Sequence, residues 1–310
     1  SADILTPEQT QVILPDLGAG CSMADMADLD EAVDAWELIH EVLPDTVRVI
    51  PVCYMNCSAA IKAFCGEHGG AVCTSSNCRE IFQWALAGGA VPKEPGETIK
   101  ILFLPDQHLG RNTAAAMGYD IHGGMCVWDP KDPEGTGSCD PETLKQSTFI
   151  LWKGHCSVHM LFRPEHVDQV RGQWPDVTVI VHPECTHEVV QKADLTGSTE
   201  RIIKTIEAAG PGSRWAIGTE VHLVNRLCNQ AARRGVEVRI LSDCQCLCTT
   251  MYRIDLPHLL WVLDNLAEGK AVNVIKVDPR IRKWVLVALE RMLQITAAGV
   301  SSPIAAPAST

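Results

Sequence analysis

Three cysteines stand in comparable local settings: Cys21 at the end of LPDLGAGC, Cys156 at the end of LWKGHC and Cys248 at the end of SDCQCLC. Each follows an apolar run and a tight turn. If residues 113–146 are an insertion, the two intervals between these cysteines become similar, suggesting a repeated unit of about 90–100 residues that contributes one thiolate each time. Thiolates delivered from separate units to one point suit an iron–sulfur cluster. Three such ligands leave one iron open to act as a Lewis acid. Spacing alone favours buried, inert cysteines, because no CxxCxxC run is present. In CQCLC the residues Cys244, Cys246 and Cys248 alternate, so on a strand they share one face. Zinc more often takes a CxxC pair, which makes zinc the weaker reading there. Cys244 and Cys246 are then either redox-active neighbours of one ligand or simply packed.

A second set of residues suits proton transfer and anion binding. VIVHPECTHEVV puts His182 and Glu184 just past an apolar run, where a carboxylate can act as general base and an imidazole as acid, base or carboxylate binder. The bland alternative is a helix start with a solvent-exposed histidine. ADLTGSTERIIK places Ser198 and Thr199 where a helix opens, and hydroxyls beside free N–H groups hold phosphate or carboxylate. As a plain N-cap the same motif is unremarkable. CTSSN, residues 73–77, repeats this chemistry before another helix.

These groups need a scaffold that brings distant turns together. Short Val/Ile-rich runs at 12–14, 47–53, 99–104, 148–152, 177–181, 215–217 and 236–241 read as strands buried on both faces of a parallel sheet. Between them, 30–42, 58–67, 77–87, 165–173, 198–209 and 221–234 carry amphipathic patterns, with further helices expected at 256–265 and 280–293. The alternation predicts βαβ units and an α/β fold. Six strand-end turns bear Cys, His, Glu, Tyr, Asn or Ser, more than a scaffold needs, and the carboxyl ends of strands are where such folds bind ligands. Residues 113–146, rich in Gly, Pro and Asp, read as a surface loop or lid.

The 310 residues allow two or three domains of ordinary globular composition, 46% hydrophobic and 21% charged. A formal net charge of −12 argues against nucleic acid as the main ligand. No apolar run is long enough for a membrane span and no signal-peptide pattern opens the chain, so no membrane partner and a cytoplasmic location are expected. The fourteen cysteines then point to metal, redox chemistry or small buried hydrophobes rather than disulfides. Because Ser1 enters a strand almost at once, the chain reads as a fragment. Residues 297–310, small and polar with two prolines, read as a disordered tail.

Taken together, LPDLGAGCSMADM, YMNCSAAIKA, VCTSSN, GHCSVH, VHPEC, TGSTERI and CTTMYRIDLPHLLWVL, in this order, resemble the quinolinate synthase family over nearly the whole chain. The resemblance implies an α/β architecture of three similar αβα domains with parallel sheets, in pseudo-threefold arrangement around a central [4Fe–4S] cluster, the first domain incomplete. In those terms 1–30 is a remnant of domain one, completed by helices in 249–296; 31–160 is domain two with the 113–146 insertion; 161–248 is domain three. It implies cluster ligation by Cys21, Cys156 and Cys248, the last chosen because Met251 follows it as in the family. It implies a substrate site of Tyr54, Met55, Asn56, Ser75, His159, His182, Pro183, Glu184, Ser198 and Thr199, with Glu184, Tyr54 and His182 catalytic. The implied reaction joins iminosuccinate and dihydroxyacetone phosphate into quinolinate, linking the chain to L-aspartate oxidase or aspartate dehydrogenase. The family begins with another strand–helix stretch carrying a His, a Tyr and a later Ser, so the resemblance implies that this chain lacks those contacts, which puts its activity as it stands in doubt. A zinc or thiol-redox protein, and an inactive fragment that keeps the fold, are the alternatives.

Overall fold

The computed structural model describes residues 1–243 and 246–300, with side chains to residue 298. The chain opens with α1 (Ala2–Leu5), β1 (Val12–Ile13) and α2 (Leu29–Val42). Then come β2 (Val47–Tyr54), α3 (Ala59–Glu67), β3 (Ala71–Cys73), α4 (Cys78–Leu86), β4 (Thr98–Leu104), α5 (Gln107–Ala116), β5 (Met125–Trp128), α6 (Pro141–Gln146) and β6 (Phe149–Trp152). A second series follows: α7 (Pro164–Gln173), β7 (Thr178–Val181), α8 (His187–Lys192), β8 (Leu195–Thr196), α9 (Thr199–Glu207), β9 (Arg214–Gly218), α10 (Val221–Ala232) and β10 (Glu237–Ile240). The described chain closes with α11 (Leu256–Ala267), β11 (Val274–Ile275) and α12 (Pro279–Val300).

The strands form a five-stranded sheet, order β3-β2-β4-β6-β5, and a four-stranded sheet, order β10-β9-β7-β8. Every pairing in both is parallel. That is the outcome expected of continuous Val/Ile runs, which can be buried only if helices cover both faces. β1 and β11 make a separate antiparallel pair. The α/β expectation with parallel sheets therefore holds.

Residues 113–146 depart from the loop expectation. They contain the end of α5, the edge strand β5 and α6, and Met125, Cys126, Trp128 and Leu144 belong to the main core. Four apolar residues suffice for an edge strand once β6 offers its hydrogen bonds in register, Cys126 against Ile150 and Trp128 against Trp152. Helix α12 packs into the same core. Val285, Ala288 and Leu289 are fully buried in the core of the five-stranded sheet. Gly66 on α3 makes this packing feasible, since a Cβ there would meet the Trp284 carbonyl oxygen at 2.0 Å. Arg291 Nη1 then donates to the carbonyls of Gly66 and Gly70, at 3.0 and 2.7 Å, satisfying acceptors at the end of α3. Residues 297–300, expected to belong to a tail, are part of α12, which runs to Val300. Residues 301–310 and Cys244 lie outside the described residues.

Candidate active site

In a parallel sheet every strand delivers its next residue to the same edge, so the strand-end turns of both sheets assemble there. Tyr54 ends β2, Ser75 follows β3, Asp106 follows β4, and Cys156 and His159 follow β6. From the second sheet come His182 and Glu184 after β7, Ser198 after β8, Thr219 after β9 and Cys248 after β10. Gly154 permits the tight meeting of the β4 and β6 ends, because a Cβ on it would come within 2.1 Å of the Pro105 carbonyl oxygen.

Glu184 is the centre of a buried network. Its side chain is sealed from solvent, and Oε2 lies 2.7 Å from His159 Nδ1. His159 Nε2 stands 3.2 Å from the Thr219 hydroxyl. The His159 ring stacks on His182 with centroids 4.4 Å apart. Burial works against the imidazolium of His159, but hydrogen bonds to Cys156 and Glu184, with their charges, push it up to about 10. Burial likewise works against an ionised Glu184, yet the two histidines and the Tyr54 hydroxyl hold the carboxyl down to about 2. The two groups are thus an ion pair at neutral pH. His182 goes the other way: burial, then the His159 charge, lowers it to about 3. Its Nδ1 accepts from the Glu184 N–H at 3.3 Å, which leaves the proton of the neutral ring on Nε2. Tyr54 is raised well above a free phenol by burial and by Glu184. Its hydroxyl faces both Glu184 and Ser75.

Glu184 Oε1 is buried and has no hydrogen-bond partner among the described residues. Desolvating a carboxylate oxygen without a donor is costly, so this atom is built to meet something the protein does not itself supply. Beside the network lies a cleft of about 790 Å³ lined in part by Ser75, Ser76, Asn112, Pro183, Ser198 and Arg201. Ser76 Oγ donates to Ser198 Oγ at 2.9 Å, joining the turns of the two sheets. Ser198 also caps α9, accepting from the Arg201 N–H. Asn112 on α5 donates to the carbonyls of Pro183 and Cys185, both at 2.8 Å, and so fixes the loop that carries Glu184.

The remaining expected residues divide. Met55 is half-buried and its sulfur accepts from Ser1 Oγ at 3.3 Å. Asn56 and Thr199 are exposed, at the end of β2 and the start of α9. Among thirteen described cysteines nine are buried and four half-buried: Cys21, Cys156, Cys228 and Cys248. Three of these four are the expected ligands. Cys156 Sγ lies with donor atoms of His159 and Glu184 in a group all within 4.8 Å of one another. Cys21 is close enough for the charges of Cys156 and Glu184 to act on it, although burial is the main reason its thiol is raised. Cys156 packs against the cores of both sheets, and Cys248 against that of the second. Cys246 is fully buried.

Sequence reasoning passed over Asp106, Asn112 and Thr219. Thr219 lies in a strand-end turn, IGTE, whose chemistry was visible. Asp106 follows β4 in LPDQHLG and differs from an ordinary helix cap only in its depth, which no spacing reveals.

A two-sheet α/β scaffold that gathers an ionised Glu–His pair, a tyrosine and a half-buried thiol at its strand ends, beside a cleft, has the build of an enzyme. The chain matches the family described as quinolinate synthetase A protein over residues 1–294. It is 54% identical over 295 residues to a quinolinate synthase of Acidobacterium capsulatum, spanning 95% of this chain and 76% of that one. A Nocardioides quinolinate synthase is 54% identical over 299 residues, 95% of this chain and 73% of the relative. One from Rhodopirellula baltica is 51% identical over 287 residues, 93% and 70%. This chain belongs to the quinolinate synthase family, enzymes of NAD biosynthesis. No helix among the described residues is long and apolar enough to cross a membrane.

Proposed function

We propose that this chain carries the site that joins iminosuccinate to dihydroxyacetone phosphate, giving quinolinate, phosphate and water. The observation that carries this reading is the buried Glu184, ionised by His159 and left with one oxygen free of partners. A condensation followed by dehydration needs a base held ready in a dry site, and a paired carboxylate with a spare lone pair meets that need. In this reading Glu184 takes the proton from carbon. The Tyr54 hydroxyl returns or relays a proton to oxygen, and neutral His182 donates through Nε2 to a substrate carboxylate. Ser75, Ser198 and Thr199 hold carboxylate or phosphate oxygens at the starts of α4 and α9, while Met55, Asn56 and Pro183 shape the walls.

Cys21, Cys156 and Cys248 would hold a [4Fe–4S] cluster. Their chemistry fits: soft sulfur donors, half-exposed where most of the other cysteines are sealed in core. When bound with one iron open, such a cluster supplies a Lewis acid to a substrate oxygen. The remaining assignments follow from this reaction: a cytoplasmic enzyme fed with iminosuccinate by L-aspartate oxidase or aspartate dehydrogenase.

The test is anaerobic purification of the chain, an iron and sulfide count, and a quinolinate assay with both substrates. The expected result is a brown protein with about four irons per chain that forms quinolinate. Zinc in place of iron and sulfide, or no product from a cluster-loaded chain, rejects the reading.

A further inference from the structure

Asp106 is a second carboxyl buried in the same place as Glu184, and nothing in the functional reading above uses it. Its side chain is fully buried. Oδ1 has a structural task, accepting from the Leu109 N–H at 2.7 Å to cap α5. Oδ2 has no partner among the described residues. Among the described residues four buried side-chain polar atoms share that condition, and two of them are the free oxygens of Asp106 and Glu184. The backbone of Asp106 bridges to Gly154, two residues before Cys156. Its carboxyl is near enough to Glu184 and His159 for their charges to reach it, and to Tyr54 for a charge on Asp106 to act on that hydroxyl. A helix cap requires one accepting oxygen; a fully buried carboxyl with a second, idle oxygen exceeds that requirement.

We propose that Asp106 is a second acid–base carboxyl of this site, presenting a protonated Oδ2 to the substrate oxygen that leaves as water while Glu184 takes the proton from the neighbouring carbon. The proposal rests on the condensing and dehydrating function argued above. The step balances without a further reactant. The C–H pair becomes the new double bond and its proton goes to Glu184. The C–O bond breaks with its electron pair on oxygen, which departs as water with the Asp106 proton. Transfer of one proton from Glu184 back to Asp106 restores the starting state. A fully buried Oδ2 with no donor facing it favours the protonated acid, and burial first, with the Glu184 charge next, pushes Asp106 up to about 8.

The test uses the full chain, loaded anaerobically, with three substitutions. D106N keeps the capping oxygen and the shape but has no proton to give; D106S keeps a capping oxygen and removes the second polar atom. At neutral pH the infrared band of a protonated carboxylic acid should be present in the unsubstituted chain and absent from D106N. Turnover to quinolinate should fall about 100-fold or more in both variants, with KM within roughly threefold and the melting temperature of D106S close to that of the parent. Exchange of the carbon-bound hydrogens of dihydroxyacetone phosphate with D2O should survive in D106N and vanish in E184Q. A band that persists in D106N, turnover within about threefold of the parent, or loss of exchange in D106N each overturns the role of Asp106. Absence of quinolinate from the unsubstituted chain instead overturns the function on which the role rests.

Discussion

Glu184 Oε2 lies 2.7 Å from His159 Nδ1, with both side chains closed to solvent and the imidazole braced from behind by Thr219. The arrangement keeps a full negative charge inside the protein without using the second carboxylate oxygen. It also makes each partner dependent on the other. Replacing His159 with Leu leaves Glu184 uncompensated, and breaking a buried pair in this way costs about 3–5 kcal/mol. Urea unfolding should register a loss of that size in H159L, with H159Q intermediate because Gln retains a donor. Equal stability of H159L and the parent would show that Glu184 is not ionised.

The base role proposed for Glu184 separates cleanly from its structural one. E184Q keeps the side-chain volume and a donor–acceptor pair, so the chain should fold and, after anaerobic loading with iron and sulfide, show the same visible absorption as the parent. Quinolinate formation should fall by about 100-fold or more, the usual contribution of a positioned base. A fully active Gln variant eliminates Glu184 as the base.

Much of this was legible in the residues, and the limits have physical causes. The parallel sheets announced themselves through continuous apolar runs such as VRVIPVCY and TIKILFL, now β2 and β4. β5 did not, because MCVW sits between GYDIHGG and DPKDPEG and its strand character comes from the edge that β6 offers. α5 contains Gly110, Asn112 and Thr113, which are weak helix formers. It is held by the Asp106 cap and by close packing at Gly110 on Phe103 and Leu151. Tyr54, His159, His182 and Glu184 were reachable through motifs at strand ends. Asp106 was not, since its significance lies in burial and an idle oxygen, both properties of the folded state.

The place of α12 can be tested by a single core truncation. Leu289 is fully buried among residues of the five-stranded unit, on a helix that local sequence would let stand apart. L289A should therefore cost about 2–5 kcal/mol in the same unfolding transition that reports β2 and β4. A loss under about 0.5 kcal/mol, typical of surface positions, would detach α12 from that core.

Asp106 predicts an inverted pH response. Its ordinary value is 3.8 and the fold raises it to about 8. Between those values the unfolded chain has released the proton while the folded chain still holds it, so folded stability declines as pH rises, by at most about 1.4 kcal/mol per unit from this group. The contribution is complete below the unfolded value and lost as pH climbs through the folded one. D106N has no such proton, so its stability relative to the parent should improve steadily from pH 5 to pH 8. A difference that stays flat over this range means the buried carboxyl is already ionised.

The cysteines offer the sharpest contrast, because four share partial exposure and only three are expected to bind metal. Cys21 and Cys156 meet through their mutual charge and through Glu184, and Cys156 packs against both cores. Cys228 sits instead on α10, packed against the far side of the second sheet among Ile217, Val224 and Leu227. Serine at position 21, 156 or 248 should each abolish stable iron and sulfide content, since a hydroxyl is a poor ligand for a soft iron–sulfur centre. C228S should keep the full complement with unchanged visible absorption. If C248S retains iron and sulfide while C21S and C156S lose them, the third ligand has been misassigned. If C228S loses them too, exposure rather than placement governs binding, and the shared centre between the two sheets is refuted.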